Sequence, residues 1–75
     1  MTLSLTDTEQ QILHLVAHGY ARKEIAHHLA RSEHTIATHY HHIKLKLSAR
    51  TLEHAVALAI TRGMVAIDNK KGTAD

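Results

Sequence analysis

The sequence predicts an all-α fold of four helices, and three observations support that prediction. Apolar residues recur at intervals of three and four along most of the chain, and no stretch alternates as a strand does. Cap-forming residues and glycines divide the chain into four helical segments. The second and third segments are separated only by Ala30, Arg31 and Ser32, which is the layout of a helix-turn-helix.

The first two helices have well-defined boundaries. Thr6 can cap the first helix, Glu9 can close a capping box, and Gly19 suits the left-handed backbone that ends a helix. The second helix is predicted over 21–29 without a capping side chain at its start. The residues expected to face the core here are Ile12, Leu13, Val16, Ala21, Ile25, Ala26 and Leu29.

The third helix is predicted to start after Ser32 and to continue to Leu47, with two contrasting faces. Its apolar face carries Ile36, Tyr40, Ile43 and Leu47. Its opposite face carries His34, Ala37, Thr38, His41 and Leu45. One face can therefore be buried while the other is offered to a groove, which makes this the expected recognition helix.

The fourth helix is predicted from the cap residue Thr51 to about Arg62, with Gly63 ending it. Its core face is expected to carry Leu52, Ala55, Val56, Ala59 and Ile60. A second, weakly apolar side, which a monomer has little reason to keep, is predicted as a dimer interface of His54, Ala57, Leu58 and Thr61. The domain is predicted over 1–67, with 68–75 as a polar tail.

Composition excludes several classes of protein. A chain of 75 residues makes one small domain, and the absence of cysteine rules out disulfides and thiolate metal sites. No apolar run is long enough to span a bilayer, and no leader opens the sequence, so the cytoplasm is the expected location. Whether the chain is a complete regulator or a piece of a larger sensor protein is left open by its sequence.

The central segment is locally basic. Residues 22–50 hold six Lys or Arg against two acidic residues, a net charge of +4, and six of the nine histidines lie there too. Such a stripe on a small domain favours a polyanionic partner over an ordinary solvated surface.

The motifs resemble one known family. "KEIA" at 23–26, then "S-x-x-T-I-x-x-H" from Ser32 and "I-x-x-K-L" from Ile43, are similar to the LuxR/GerE-type helix-turn-helix family, and the resemblance covers residues 5–67. It implies a four-helix DNA-binding domain whose third helix enters the major groove and whose fourth helix dimerises. It also implies base-proximal roles for Ala37, Thr38 and His41, and phosphate-contact or groove-entry roles for Lys23, Thr35 and Lys46.

The sequence departs from the family pattern at four places. Ala37 replaces a basic residue, Arg31 an apolar one, Leu52 an arginine near the start of the fourth helix, and Thr8 an arginine before Glu9. These changes leave the fold prediction intact and bear on base preference and affinity.

The predicted DNA-binding residues form two groups, since helices in the major groove read bases while flanking cations bind phosphates. The base-proximal residues are His34, Ala37, Thr38 and His41. The phosphate-binding residues are Lys23, Arg31, Ser32, Thr35, Lys44, Lys46 and Arg50. Imidazoles that charge between pH 7.5 and 6 predict DNA binding that strengthens as the pH falls. His39, beside the apolar face, is expected to pack or hydrogen-bond between helices.

No metal, cofactor, small-molecule ligand or catalytic site is predicted. His14 and His18 are four residues apart and could bind zinc or nickel, but no third ligand is obvious and such surface pairs are usually incidental. Carboxylates are scattered singly, the serines have no triad context, and no glycine-rich phosphate loop is present, so an enzyme is not expected.

The sequence thus predicts a sequence-specific transcriptional regulator that binds double-stranded DNA as a homodimer through the fourth helix. The alternative is a small protein-interaction module that pairs with a larger LuxR-type regulator and modulates it.

Overall fold

A computed structural model describes residues 4–67 and shows four helices. They are α1 (Asp7–Ala17), α2 (Arg22–His28), α3 (Glu33–Leu47) and α4 (Leu52–Thr61). Within 4–67 there is no strand, which confirms the all-α prediction. The predicted tail at 68–75 lies outside the described residues.

Capping side chains set the starts of three helices as predicted. The Thr6 hydroxyl accepts from the Glu9 amide at 3.1 Å, and Glu9 Oε1 accepts from the Thr6 amide at 2.9 Å, which completes the capping box. The hydroxyls of Ser32 and Thr51 cap α3 and α4 in the same way. At α2 the Ala21 amide instead donates to Glu24 Oε1 at 2.7 Å, so part of the missing cap is supplied by the third residue of the helix.

Residues with positive φ make the turns between helices. Gly19 and Gly63 have φ of 92° and 73°, which confirms their predicted roles after α1 and α4. Two residues with side chains also adopt this backbone, Ala30 at φ 55° before α3 and Ser48 at φ 56° after it. Ala30 therefore holds a left-handed conformation that is unfavourable for L-residues, at the turn that orients α3.

Helix α3 is the centre of the fold, because each of the other three helices makes its most extensive contact with α3. Its residues Ile36 and Ile43 are fully buried together with Ile12, Leu13 and Ile25 of α1 and α2. This arrangement confirms the predicted apolar face of α3. Leu15 and Val65 also join the core, although neither was predicted there.

Three predicted orientations are wrong. Ala21 is exposed because it is the extended residue before α2 rather than part of the helix. On α4, Ile60 is 42% exposed, whereas Leu58 packs against the core. The buried residues Ala55 and Ala59 define the inner line of α4, and with about 100° of rotation per residue Leu58 lies nearer that line than Ile60.

No helix in the described part of the chain is both long enough and apolar enough to cross a membrane.

Candidate nucleic-acid interface

One long side of α3 faces solvent, and it carries the residues predicted to read bases. We call it the exposed side, comprising His34, Ala37, Thr38, His41 and Leu45. All are exposed except Ala37, which is half-buried. The side includes two imidazoles, a hydroxyl and an apolar patch at Leu45, which is 61% exposed. It therefore offers both hydrogen-bonding groups and methyl groups to a partner.

The first turn of α3 is ordered by short-range hydrogen bonds. The Ser32 hydroxyl accepts from the Thr35 amide at 3.0 Å and lies 2.9 Å from the Thr35 hydroxyl. One turn later, the Thr38 hydroxyl donates to the His34 carbonyl at 3.1 Å. Because its proton is used within the helix, the oxygen of Thr38 is left chiefly as an acceptor for outside donors.

Basic residues lie at both ends of α3 and at the start of α2. Lys23, Arg31 and Arg50 are exposed, and Lys44 is half-buried. Arg22 is paired with Glu33 at 3.4 Å, but both side chains remain about half exposed. Such an exposed pair is weak and can open when a phosphate competes for the guanidinium.

Lys46, also predicted to bind phosphate, is half-buried and already paired with an acidic residue. Its Nζ donates to Glu9 Oε1 at 2.6 Å, and its side chain is 23% exposed against 4% for Glu9. This ion pair joins the last turn of α3 to the first turn of α1. Any phosphate contact by Lys46 would have to share its ammonium with Glu9, so its phosphate role stays a prediction.

The neighbours of Glu9 shift the pKa of its carboxyl group. Burial raises its pKa, but hydrogen bonds from Lys46 and Thr6, with the positive charge of Lys46, lower it more, and the net pKa lies below the ordinary carboxyl value. Glu9 is therefore a carboxylate at neutral pH. It is the one buried charged residue among those the structure describes.

Tyr40 lies at the edge of the buried side of α3. Burial raises the pKa of its phenol, and the nearby charge of Arg22 offsets part of that rise. Tyr40 is therefore neutral under ordinary conditions, and we assign it to packing against the core rather than to charge.

Two histidines of α3 meet Glu9 beside the Lys46 ion pair. His39 is half-buried, as expected of a residue between helices, but its Nδ1 is buried and has no hydrogen-bond partner in the described part of the chain. His42 Nδ1 lies 4.0 Å from Glu9 Oε2. One donor atom from each of Glu9, His39 and His42 falls within 4.8 Å of the others.

Sequence reasoning did not bring these three residues together. The spacing of His39 and His42 places both on one side of a helix, and that signal was available. The third member comes from α1, 30 residues earlier than His39, and only the packing of α1 on α3 makes it a neighbour.

The histidine pair that the sequence suggested for metal binding, His14 and His18, lies away from this cluster. The rings of His14 and His18 on α1 have centroids 4.2 Å apart, and His18 Nδ1 is 2.8 Å from the His14 carbonyl oxygen. Among residues 4–67 no third metal-binding group joins them.

The residues of the predicted dimer interface on α4 differ in exposure, and the interface itself stays a prediction. His54, Ala57 and Thr61 are exposed, but Leu58 is half-buried and Ile60 takes its place as the apolar residue on the outer side of α4. His54 Nδ1 accepts from the Arg50 amide at 3.1 Å, so its ring also orders the turn before α4.

Comparison with known proteins identifies the family to which this four-helix domain belongs. The sequence profile of GerE, described as "Bacterial regulatory proteins, luxR family", matches residues 3–59. The chain belongs to this family. It is a DNA-binding domain of the kind found in LuxR-family transcriptional regulators. Its curated relatives are transcriptional regulators, which confirms the expectation that it is not an enzyme.

Curated relatives share this domain within longer chains. The uncharacterized transcriptional regulatory protein YxjL of Bacillus subtilis is 38% identical over 60 residues, which is 80% of this chain and 28% of YxjL. The transcriptional regulatory protein FixJ of Rhizobium meliloti is 33% identical over 60 residues, again 80% of this chain and 29% of FixJ. The LuxR-type chain therefore spans less than a third of the length of either relative.

Solved structures show the same fold. The transcription factor GerE superposes with a TM-score of 0.81 at 28% identity, covering 88% of this chain and all of GerE. The Vibrio cholerae VqmA dimer gives 0.81 at 28% identity, over 87% of this chain and 30% of VqmA. A VqmA complex with ligand and DNA gives 0.80 at 25% identity, over all of this chain and 33% of that one.

Proposed function

We propose that this LuxR-type domain binds specific DNA sequences by inserting the exposed side of α3 into the major groove, and that it acts in the cytoplasm. The observation that carries the proposal is the division of α3 into a buried apolar side and an exposed polar side. A helix so mounted can enter a groove without disturbing the core. VqmA, which shares the fold, has been solved with DNA.

Within this proposal, residues on α3 have distinct tasks. His34, Thr38 and His41 offer donors or acceptors to base edges, and Ala37 meets a thymine methyl group. The exposed cations Lys23, Arg31 and Arg50 contact phosphates, as do Ser32, Thr35 and Lys44 at the two ends of the helix.

We further propose that two chains pair through α4. The supporting observation is its outer side, where Ala57, Ile60 and Thr61 are exposed together with His54. Two α3 helices would then address half-sites about 10 base pairs apart. A VqmA dimer is among the structures that share this fold.

The test of base reading is selection of binding sites from a random DNA pool, followed by fluorescence anisotropy on the selected duplex. We expect Thr38→Ala and His41→Ala to weaken binding to that duplex by about tenfold, while binding to unrelated DNA changes little. His14→Ala is the matched control, since it removes an exposed histidine from α1. If His41→Ala and His14→Ala behave alike, α3 does not read the bases.

Phosphate binding predicts a separate signature. Lys23→Gln should weaken binding to all sequences equally and reduce the slope of log affinity against log salt by about one.

The dimer requires its own measurement. Ala57→Glu should leave the fold intact, reduce dimer formation in analytical ultracentrifugation and weaken binding to paired half-sites more than to one half-site. If the chain binds no DNA but captures a longer LuxR-type regulator through α4, the interaction-module alternative holds instead.

A further inference from the structure

We propose that Glu9, His39 and His42 form a binding site for a divalent transition-metal ion of the zinc class, which would link α1 to α3. The inference is independent of the proposed DNA contacts, because the three residues lie off the exposed side of α3. Their donor atoms already lie within 4.8 Å of one another without an ion.

The chemistry of the three side chains suits this class of ion. Two imidazoles and one carboxylate are a common protein ligand set for zinc, with a fourth position left for water. Hard cations such as Mg²⁺ and Ca²⁺ prefer oxygen ligands alone, so the two imidazoles favour a transition metal. The half-exposed side chain of His42 leaves the fourth position open to water.

The buried nitrogen of His39 is the second observation. Its Nδ1 has no hydrogen-bond partner in the part of the chain described, and a buried polar atom without a partner destabilises the fold. This histidine stands in a polar cluster, so its ring lies close to two further donors rather than among apolar groups alone. A bound metal ion would give the ring of His39 a polar partner in this cluster.

The Lys46 ion pair orients the carboxylate rather than blocking it. Both the Lys46 ammonium and the Thr6 amide donate to Oε1 of Glu9, at 2.6 and 2.9 Å. Oε2 is therefore the oxygen directed at His42, at 4.0 Å from its Nδ1. Hydrogen bonds to the non-ligating oxygen of a carboxylate are the usual support of such a ligand.

The geometry needs only a small adjustment. Tetrahedral zinc with bonds of about 2.0–2.2 Å holds its ligand atoms roughly 3.3–3.6 Å apart. Donor atoms that lie within 4.8 Å of one another must therefore approach by at most about 1.5 Å. His42, with half its side chain exposed, has the freedom to do so.

The experiment uses the 75-residue chain without a tag, stripped of metal with a chelator. Isothermal titration with ZnCl₂ should show one ion per chain, and CoCl₂ should give the visible absorption of a four-coordinate cobalt site. The matched variants are His42→Gln, which removes one ligand, and a double variant His14→Gln with His18→Gln, which removes the competing pair on α1. Circular dichroism checks that both remain folded.

We expect His42→Gln to lower zinc affinity by at least about tenfold and to abolish the cobalt band, while the double variant binds as the parent does. Amide signals of Glu9, His39 and His42 should shift on zinc addition in the parent. The proposal is overturned if the titration is flat, if His42→Gln binds like the parent, or if the double variant is the one that loses binding.

Discussion

The two long sides of α3 differ in how they are held. On the core side, Ile36 and Ile43 are fully buried, and at its end Lys46 is tied to Glu9 of α1. On the exposed side, the hydrogen bond of Thr38 stays within its own helix turn. The core side is thus fixed by the rest of the chain, whereas the polar groups of the exposed side lie in solvent. We therefore expect that stability and the proposed DNA binding can be changed separately on one helix.

The largest expected effect comes from truncating one aliphatic side chain on each side of α3. Ile43→Ala should lower the free energy of unfolding by about 3 kcal/mol, because it removes buried methyl groups and leaves a cavity. Leu45→Ala, two residues away and 61% exposed in the parent, should change it by less than about 0.5 kcal/mol. Urea unfolding followed by circular dichroism measures both. Equal losses would show that α3 is not mounted on the core as described.

The second test compares two ion pairs of α3. Glu9→Gln should lower the free energy of unfolding by about 2 kcal/mol, since Glu9 is buried and Lys46 loses its partner. Glu33→Gln breaks the half-exposed pair with Arg22 and should lower it by less than about 1 kcal/mol. The same unfolding assay, in chelator, distinguishes them. If Glu33→Gln and Glu9→Gln lowered the free energy of unfolding equally, the buried ion pair would be no more important to stability than the half-exposed one.

The pKa of Glu9 gives this pair a pH dependence of known sign. The pKa is lower in the folded than in the unfolded protein, so the ionised group stabilises the fold above its ordinary pKa of 4.5. That contribution is lost as the pH falls below 4.5 and through the lowered pKa. Unfolding curves measured in chelator between about pH 6 and 3 should therefore converge for the parent and Glu9→Gln. Parallel curves would show that Glu9 titrates normally.

The sequence predicts the two sides of α3 well because both follow from local rules. Helical periodicity assigned Ile36 and Ile43 to the core and His34, Thr38 and His41 to the surface, and the hydroxyls of Ser32 and Thr51 marked where helices begin. Such features depend on a few neighbouring residues, so no knowledge of tertiary packing was required.

Features that depend on how helices meet were not predictable in this way. Lys46 and Glu9 are 37 residues apart, and their ion pair exists only because the end of α3 crosses the start of α1. On α4, the 100° rotation per residue separates Leu58 from Ile60 only once Ala55 and Ala59 are known to be the buried residues, and that depends on how α4 packs. The cluster of Glu9, His39 and His42 needed the same interhelical contact.

The smallest expected effect concerns the turn between α2 and α3, which belongs to neither side of α3. Ala30 has φ of 55°, where glycine is not strained, so Ala30→Gly should raise the free energy of unfolding by about 0.5–1 kcal/mol after the entropic cost of glycine. Ala57→Gly is the matched control, because the same change at an exposed position inside α4 should lower the free energy of unfolding by up to about 1 kcal/mol. DNA affinity of Ala30→Gly should equal that of the parent, since the turn keeps its geometry. A stabilised variant with altered affinity would mean that the strain at Ala30 is itself part of recognition.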